Sequence, residues 1–222
     1  MLNLIVSLVT STVAWTAPVI VNDVTQINPV VVAAEIRPTS TAEVQKIVRE
    51  NPGAISIGGG RFSMGGQIGS DYTTHIDMRG MNQILAFDEQ AKTIRVQAGI
   101  RWRDIQKHID PKNLSVKIMQ SYANFTVGGS LSVNVHGRYV GLGPVIMSVR
   151  SFTLVLPSGE AKEVSPEKDS ELFYGAIGGY GGLGVITEVS LDLADNVKVE
   201  RFAKKMPIEN YFEFFKKEIR ED

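Results

Sequence analysis

Glycine is concentrated in three stretches of this chain, each fused to a hydrophobic strand pattern: IGGGRFSMGGQ over 57–67, TVGGSLSVNVHGRYVG over 126–141 and GGYGGLGVIT over 178–187. A residue without a Cβ lets the backbone turn sharply and brings its N–H groups close to a ligand. Three such loops in one chain restrict the fold to one whose strand ends carry bare main chain. They point to a large anionic cofactor enclosed by that main chain.

Composition narrows the chemistry further. With 222 residues, 43% of them hydrophobic, the chain can bury a proper core as one large domain or two small lobes. Its 23 basic and 24 acidic residues give a formal charge of −1 without a basic stripe, so nucleic acid is not an expected partner. Cysteine is absent, which excludes disulfides, thiolate nucleophiles and cysteine-bound metals. His75, His108 and His136 lack the i, i+4 spacing of a metal-ligand pair, so no metal site is expected, and His75 and His108 read as structural.

The first seventeen residues, MLNLIVSLVTSTVAWTA, are uncharged and apolar or small, the character of a signal or anchor segment and hence of export or membrane association. No Lys or Arg precedes the run, and a packed N-terminal strand is the alternative. After a connector, VVVAAEIRP reads as a buried strand stopped by Pro38. Ser40 and Glu43 form a capping box that opens a helix with Val44, Ile47 and Val48 on its apolar stripe. A strand over 54–57 then runs into the first glycine loop, completing a strand–helix–strand unit of the kind that makes parallel pairing.

From His75 onward THIDM, QILAFDE and TIRVQAGI alternate as strands, and a helix begins near Arg101. VRSFTLVLPSGEAKEV reads as a hairpin turned at Pro157-Ser158-Gly159, 170–177 as a helix and 185–193 as a strand. The fold class is therefore α+β in two lobes, with glycine loops at strand ends. The tail begins with an alternating VKVERF strand. It continues into an amphipathic helix, NYFEFFKKEIRED, whose Tyr211, Phe212, Phe214 and Phe215 need a surface to pack against. That helix reads as the first element of another domain.

Two generic nucleotide motifs fail on context. Gly179-Tyr180-Gly181-Gly182-Leu183-Gly184 matches G-x-G-x-x-G, yet a helix precedes it and a β-branched strand follows, the reverse of a dinucleotide fold. The loop at Gly58 has Ser63 at the third glycine position, and no Gly-Lys-Ser/Thr exists to make a P-loop.

Taken in order, GGGRFSMGGQ after a strand, FTVGGSLSVNVHG, PSGE at a hairpin and ELFYGAIGGYGGLGVITEVSL carry a more specific likeness. The chain resembles the FAD-binding domain of the vanillyl-alcohol oxidase and para-cresol methylhydroxylase superfamily over roughly 28–195, nearest to sugar-lactone oxidases, alditol oxidases and cytokinin dehydrogenases. The resemblance implies a two-lobed PCMH-type fold: a small α/β lobe over about 28–85, and a larger, mainly antiparallel sheet lobe with flanking helices over about 86–195. Residues 1–27 would be the apolar segment and connector, and 196–222 the start of a substrate or cap domain.

The resemblance also assigns roles. Gly58, Gly59, Gly60, Arg61, Phe62, Ser63 and Met64 would offer backbone N–H groups to the FAD pyrophosphate, with Gln67 closing the loop. Arg61 either adds charge pairing or is a solvent-exposed loop arginine. Ser121, Thr126, Gly128, Gly129, Ser130 and Ser132 would line the pyrophosphate and the flavin ring, the hydroxyls of Thr126 and Ser132 bonding to phosphate or flavin edges. His136 and Gly137 match an HG pair beside the flavin, a turn histidine being the alternative. Ile186 would hold adenine through its main chain.

Many members of that superfamily attach FAD to a histidine in a GGGHS or GRGHS loop. Arg61 or Phe62 stands there in this chain, cysteine is absent, and non-covalent FAD is expected, with His136 the one nearby residue able to contradict it. The reaction implied is hydride removal from a C–H beside an alcohol or amine, sugar lactones included. The small-molecule substrate would be held by a second domain that also supplies the base, so no catalytic residue is assigned. The alternative is a non-catalytic flavin-binding module or partner-completed subunit that docks through 211–215.

Overall fold

Runs of alternating apolar residues assemble into three sheets in the computed structural model, which describes residues 19–139 and 141–218. The expected signal or anchor segment lies outside the described residues. Among the described residues no helix is long and apolar enough to cross a membrane.

VVVAAEIRP is not the single buried strand expected. It divides at Ala33 into β2 (Val30–Val32), which pairs antiparallel with β1 (Val19–Val21), and β3 (Ala34–Ile36), which joins a different sheet. Serving two sheets leaves Val31 and Ile36 exposed, while Val21 and Val32 close a small apolar cluster with Ile68. Asp23, in the β1–β2 connection, accepts from the Thr25 hydroxyl and amide, from Asn28 Nδ2 at 2.7 Å and from the Gly66 amide at 3.2 Å. These bonds, the Thr25 hydroxyl first, hold its pKa down at about 2 and tie the hairpin to the first glycine loop.

Helix α1 (Thr41–Glu50) starts where its cap requires: Ser40 Oγ accepts from the Glu43 amide at 3.2 Å. The Glu43 carboxylate reaches back to the Thr39 amide at 2.8 Å, so the reciprocal half of the box is displaced by one residue. The strands flanking this helix, β3 and β4 (Ile55–Gly58), are parallel as expected, but β5 (Thr74–Asp77) lies between them and pairs with both.

The larger sheet is antiparallel. Strands β6 (Ile84–Asp88) and β7 (Thr93–Gln97) form one edge; α2 (Trp102–Ile109), β8 (Leu114–Val116) and α3 (Val127–Ser132) follow. Strands β9 (Val149–Val155) and β10 (Ala161–Val164) make the hairpin turned at Pro157–Gly159. Helix α4 (Ser170–Ala176) then leads to the long β11 (Val185–Asp195). The order is β10-β9-β11-β7-β6, with β8 on the far end of β11. A parallel small sheet beside a mainly antiparallel large one makes the protein α+β.

Trp102, Phe152, Phe173, Ile94 and Leu154 are fully buried between the large sheet and its helices. Each contributes roughly 1.5–3 kcal/mol of burial free energy. The small sheet is tied to the large one through α1: Gln45 Nε2 and Arg49 Nη1 both donate to the Gly159 carbonyl, and the Thr41 hydroxyl meets Thr187 and Glu188. Beyond β11 the expected VKVERF strand does not form. Among the described residues no strand edge receives it, and the chain continues irregularly to α5 (Ile208–Glu218), which exposes Tyr211, Phe212 and Phe215.

One face of the large sheet carries a polar ladder. Arg95 on β7 pairs with Glu163 on β10 at 2.9 and 3.0 Å, and with Glu188 on β11 at 2.9 Å. Ser151 and Thr153 also donate to Glu163. The Arg95 bond foremost, against the opposing effect of burial, brings the Glu163 pKa from 4.5 to about 2. A lowered carboxyl stabilises the fold in full above its unfolded pKa and loses that contribution as pH falls from 4.5 toward 2. Glu163→Gln is therefore expected to flatten the acid limb of a stability–pH profile by about 1 kcal/mol, the partial exposure of the pair limiting the effect. Urea unfolding at pH 6 and pH 3 checks this.

Candidate functional site

A cavity of about 550 Å³ opens where the loop after β4, the α3 segment and the loop between α4 and β11 converge. From the first loop Gly59, Gly60, Arg61, Phe62, Ser63 and Gln67 line it. From the second come Thr126, Gly128, Gly129, Ser130, Ser132 and His136, and from β11 comes Ile186.

Four expected residues stand elsewhere. Gly58 ends β4 with the His75 ring against it; a Cβ there would lie 2.6 Å from His75 Nε2. Met64 adopts φ 51° and turns its side chain to solvent. Ser121 is exposed outside the cavity, and Gly137 is packed under Tyr139 and the Met119 carbonyl.

The second glycine segment folds as α3, a short helix not foreseen in the sequence. Its N-cap, Thr126, is buried, and its hydroxyl accepts from the Gly60 amide at 3.3 Å while lying against Gly59. Thr126 thus joins the first loop to the second. Ser132 donates its hydroxyl proton to the Gly128 carbonyl at 2.8 Å, which leaves only its lone pairs for a ligand.

Arg61 departs from both sequence readings. Its backbone takes φ 64°, and its guanidinium, only 15% exposed, pairs with Glu35 and lies 3.9 Å from Asp77. Two carboxylates already counter its charge, so it is neither a free cation nor a solvent-facing one. Asp77 is also held by Arg79 Nε and Nη2 at 2.7 and 2.8 Å. Burial opposes ionisation of Asp77, but the Arg79 hydrogen bonds outweigh it and lower the pKa.

His75 is fully buried, as a structural histidine should be. Thr73 donates to the Ser70 carbonyl, Ser56 donates to Thr73, and His75 Nδ1 therefore carries the proton given to Ser56 at 2.9 Å. Burial first, then the Arg61 charge, lowers its pKa and keeps the ring neutral. His108 packs edge-on against Phe87. His136 is exposed at the cavity rim, with Nδ1 2.9 Å from the Gly137 carbonyl.

Ile57, Ile68, Met78, Ala98, Phe125, Val133, Val135, Ala176 and Leu183 supply the apolar wall, and Gln120, Tyr180, Gly181 and Gly184 complete the lining. The glycine-rich motifs had already spanned Ile57, Phe125, Val133, Val135, Ala176, Tyr180, Gly181, Leu183 and Gly184, whereas Ile68, Met78, Ala98 and Gln120 carry no motif. On β11 the register to β9 slips between Ile186 and Glu188, and the Thr187 carbonyl turns instead to the Ala98 amide at 2.8 Å. This bulge interrupts the ladder beside the residue expected to offer main-chain groups to adenine.

The lining fits a flavin dinucleotide. No lysine is present and the one arginine is already paired, so an anion meets neutral main-chain N–H groups and those hydroxyls, Ser63 and Thr126, whose protons are not committed elsewhere. Gly59 leaves room that a Cβ would take from Thr126, Gly128 lies against Ala98, and the apolar wall suits a flat ring. Among the described residues no group of three His, Asp or Glu side chains is arranged to hold a metal.

Residues 32–165, more than half of the chain, match the family described as FAD binding domain. The L-galactono-1,4-lactone dehydrogenase, mitochondrial, of Arabidopsis thaliana is 34% identical over 158 residues, covering 70% of this chain and 26% of that protein. Decaprenylphosphoryl-beta-D-ribose oxidase of Mycolicibacterium smegmatis is 29% identical over 69% of this chain and 35% of its own. Cytokinin dehydrogenase 2 of Arabidopsis thaliana is 27% identical over 78% of this chain and 35% of its own. The chain therefore spans about a quarter to a third of the length of these relatives. Motif order, a cavity lined by glycine loops and this match together make the chain a member of the FAD binding domain family, of the PCMH type found in the vanillyl-alcohol oxidase superfamily.

Proposed function

We propose that this chain is the cofactor-holding part of an FAD-dependent oxidoreductase that oxidises the C–H bond beside an alcohol, sugar lactone or amine. The observation that carries the reading is the convergence of the first and second glycine segments and Ile186 on one cavity with polar and apolar sides. When bound, FAD supplies the hydride acceptor. The main chain of Gly59 and Gly60 would hold the pyrophosphate, the apolar wall from Met78, Ala98 and Val135 would exclude water, and Thr126 keeps the two loops in register. Arg61 and Phe62 stand where a histidyl attachment would be made, which supports non-covalent FAD.

Lobes over about 28–85 and 86–195 hold the cofactor between them, and 196–222 leads into a substrate or cap domain that supplies the base and the pocket. The exposed Tyr211, Phe212 and Phe215 on α5 support that last assignment, since an aromatic face of this kind packs on a partner surface. The apolar, uncharged run over 1–17 supports export or membrane anchoring. The test is anaerobic mixing of FAD-loaded protein, this chain together with whatever domain completes it, with a panel of aldonolactones, alditols and amines. Bleaching of the oxidised flavin absorbance by one class is the expected result. A flavin that every donor leaves oxidised, yet dithionite reduces, favours the non-catalytic module.

A further inference from the structure

The cavity wall contains one amide whose orientation is set from deep inside the core. Trp102 is fully buried, and its indole N–H, which can only donate, reaches Ser130 Oγ at 2.9 Å. Ser130 is itself only 1% exposed. Its Oγ lies 3.2 Å from Gln120 Oε1 and 3.1 Å from Gln120 Nε2. Since Trp102 occupies one lone pair, the Ser130 hydroxyl proton goes to the acceptor within reach, Gln120 Oε1. Both amide atoms of Gln120 thus lie against Ser130 Oγ, the oxygen accepting its proton and the nitrogen remaining a donor. At most one Nε2 hydrogen can use the remaining Ser130 lone pair, and among the described residues Nε2 has no other partner.

We propose that Gln120 is a positioning residue for the cofactor, its Nε2 donating to an acceptor atom of the bound flavin dinucleotide, with Trp102 and Ser130 setting the direction of that bond; this rests on the FAD reading above. Gln120 lines the cavity beside apolar neighbours, where a donor without a partner is costly and a ligand acceptor removes the cost. A flavin dinucleotide offers phosphate oxygens, ring carbonyls and ring nitrogens as acceptors, so a free Nε2 hydrogen on the cavity wall has partners to meet.

The experiment is a titration of the full chain with FAD, followed by quenching of flavin fluorescence, with urea unfolding as the measure of fold. Gln120→Met is expected to raise the Kd for FAD about fivefold, and to lower the unfolding midpoint only by the loss of the Ser130 hydroxyl's acceptor, with the protein still folding cooperatively. Trp102→Phe, which keeps an aromatic side chain but removes the donor, is expected to raise the Kd in the parent chain but not further in a Gln120→Met background. Ser130→Ala, crossed with Gln120→Met in the same way, gives the test a second route should Trp102→Phe fail to fold.

Parent-like affinity in Gln120→Met overturns the inference and leaves the FAD reading standing. An equal rise from Trp102→Phe in both backgrounds also overturns it, because the indole would then act only through the fold. A parent chain that takes up no FAD overturns the cavity reading and the inference together.

Discussion

Gly59→Val is expected to abolish retention of FAD, raising its Kd at least ~100-fold, equivalent to about 2.7 kcal/mol. A Cβ at this position would fall well inside van der Waals contact of Thr126 Oγ1 and 3.5 Å from Thr126 Cβ. Thr126 has nowhere to go: it is 1% exposed, caps α3, bridges to Arg101 and holds the Gly60 amide. The first loop must therefore move outward, carrying its N–H groups away from the ligand. Gly53→Ala is the control, because a Cβ there meets nothing within 4 Å. FAD titration of both variants decides the matter, and an affinity for Gly59→Val matching the control would mean that this loop does not hold the pyrophosphate.

The second large effect concerns the fold that carries the site. Gly99 follows β7 where the chain enters the core ahead of α2, and a Cβ would lie 2.6 Å from the Met78 carbonyl carbon, closer still to its oxygen, and 2.8 Å from the Met81 oxygen. Both obstacles are backbone, and Met78 and Met81 are themselves buried, so neither can swing aside as a side chain would. Gly99→Ala is expected to destabilise the protein by about 3 kcal/mol or more, lowering the Tm by roughly 6–12 °C. Thermal unfolding measures it. A Tm within about 2 °C of the parent would show that the β7–α2 passage relaxes freely.

These two positions also show what a reader of the sequence can and cannot see. Local signals held: the Ser40 cap, the Pro157–Gly159 turn, the helix from Trp102 and the strand after the third glycine loop all depend on residues within a few positions of one another. Pairing across long separations was not legible. Nothing in THIDM says that β5 inserts between β3 and β4, and nothing in VVVAAEIRP says that its two halves serve different sheets. VKVERF has strand alternation, yet alternation needs an edge to pair with, and none among the described residues receives it.

Glycine-rich TVGGSLS is a poor helix by propensity, but tertiary bonds hold α3: Gly128 N to Ala98 O at 2.7 Å, and Ser130 Oγ to Trp102. Within the site, glycine loops announced themselves by composition. What each side chain does there depended on partners far along the chain. Arg61 meets Glu35 and Asp77, Thr126 meets Gly60, and Gln120 depends on Trp102, none of which spacing alone reveals.

The central claim is that the cavity between the glycine loops holds FAD without a covalent bond. It is tested most directly by loading the purified chain with FAD, removing the free cofactor, precipitating the protein with acid and measuring flavin absorbance in both fractions. The account predicts that the chain carries flavin and that all of it appears in the supernatant, because Arg61 and Phe62 cannot form a histidyl link and no cysteine exists. Flavin that stays with the pellet would contradict it and direct attention to the exposed imidazole of His136 at the cavity rim.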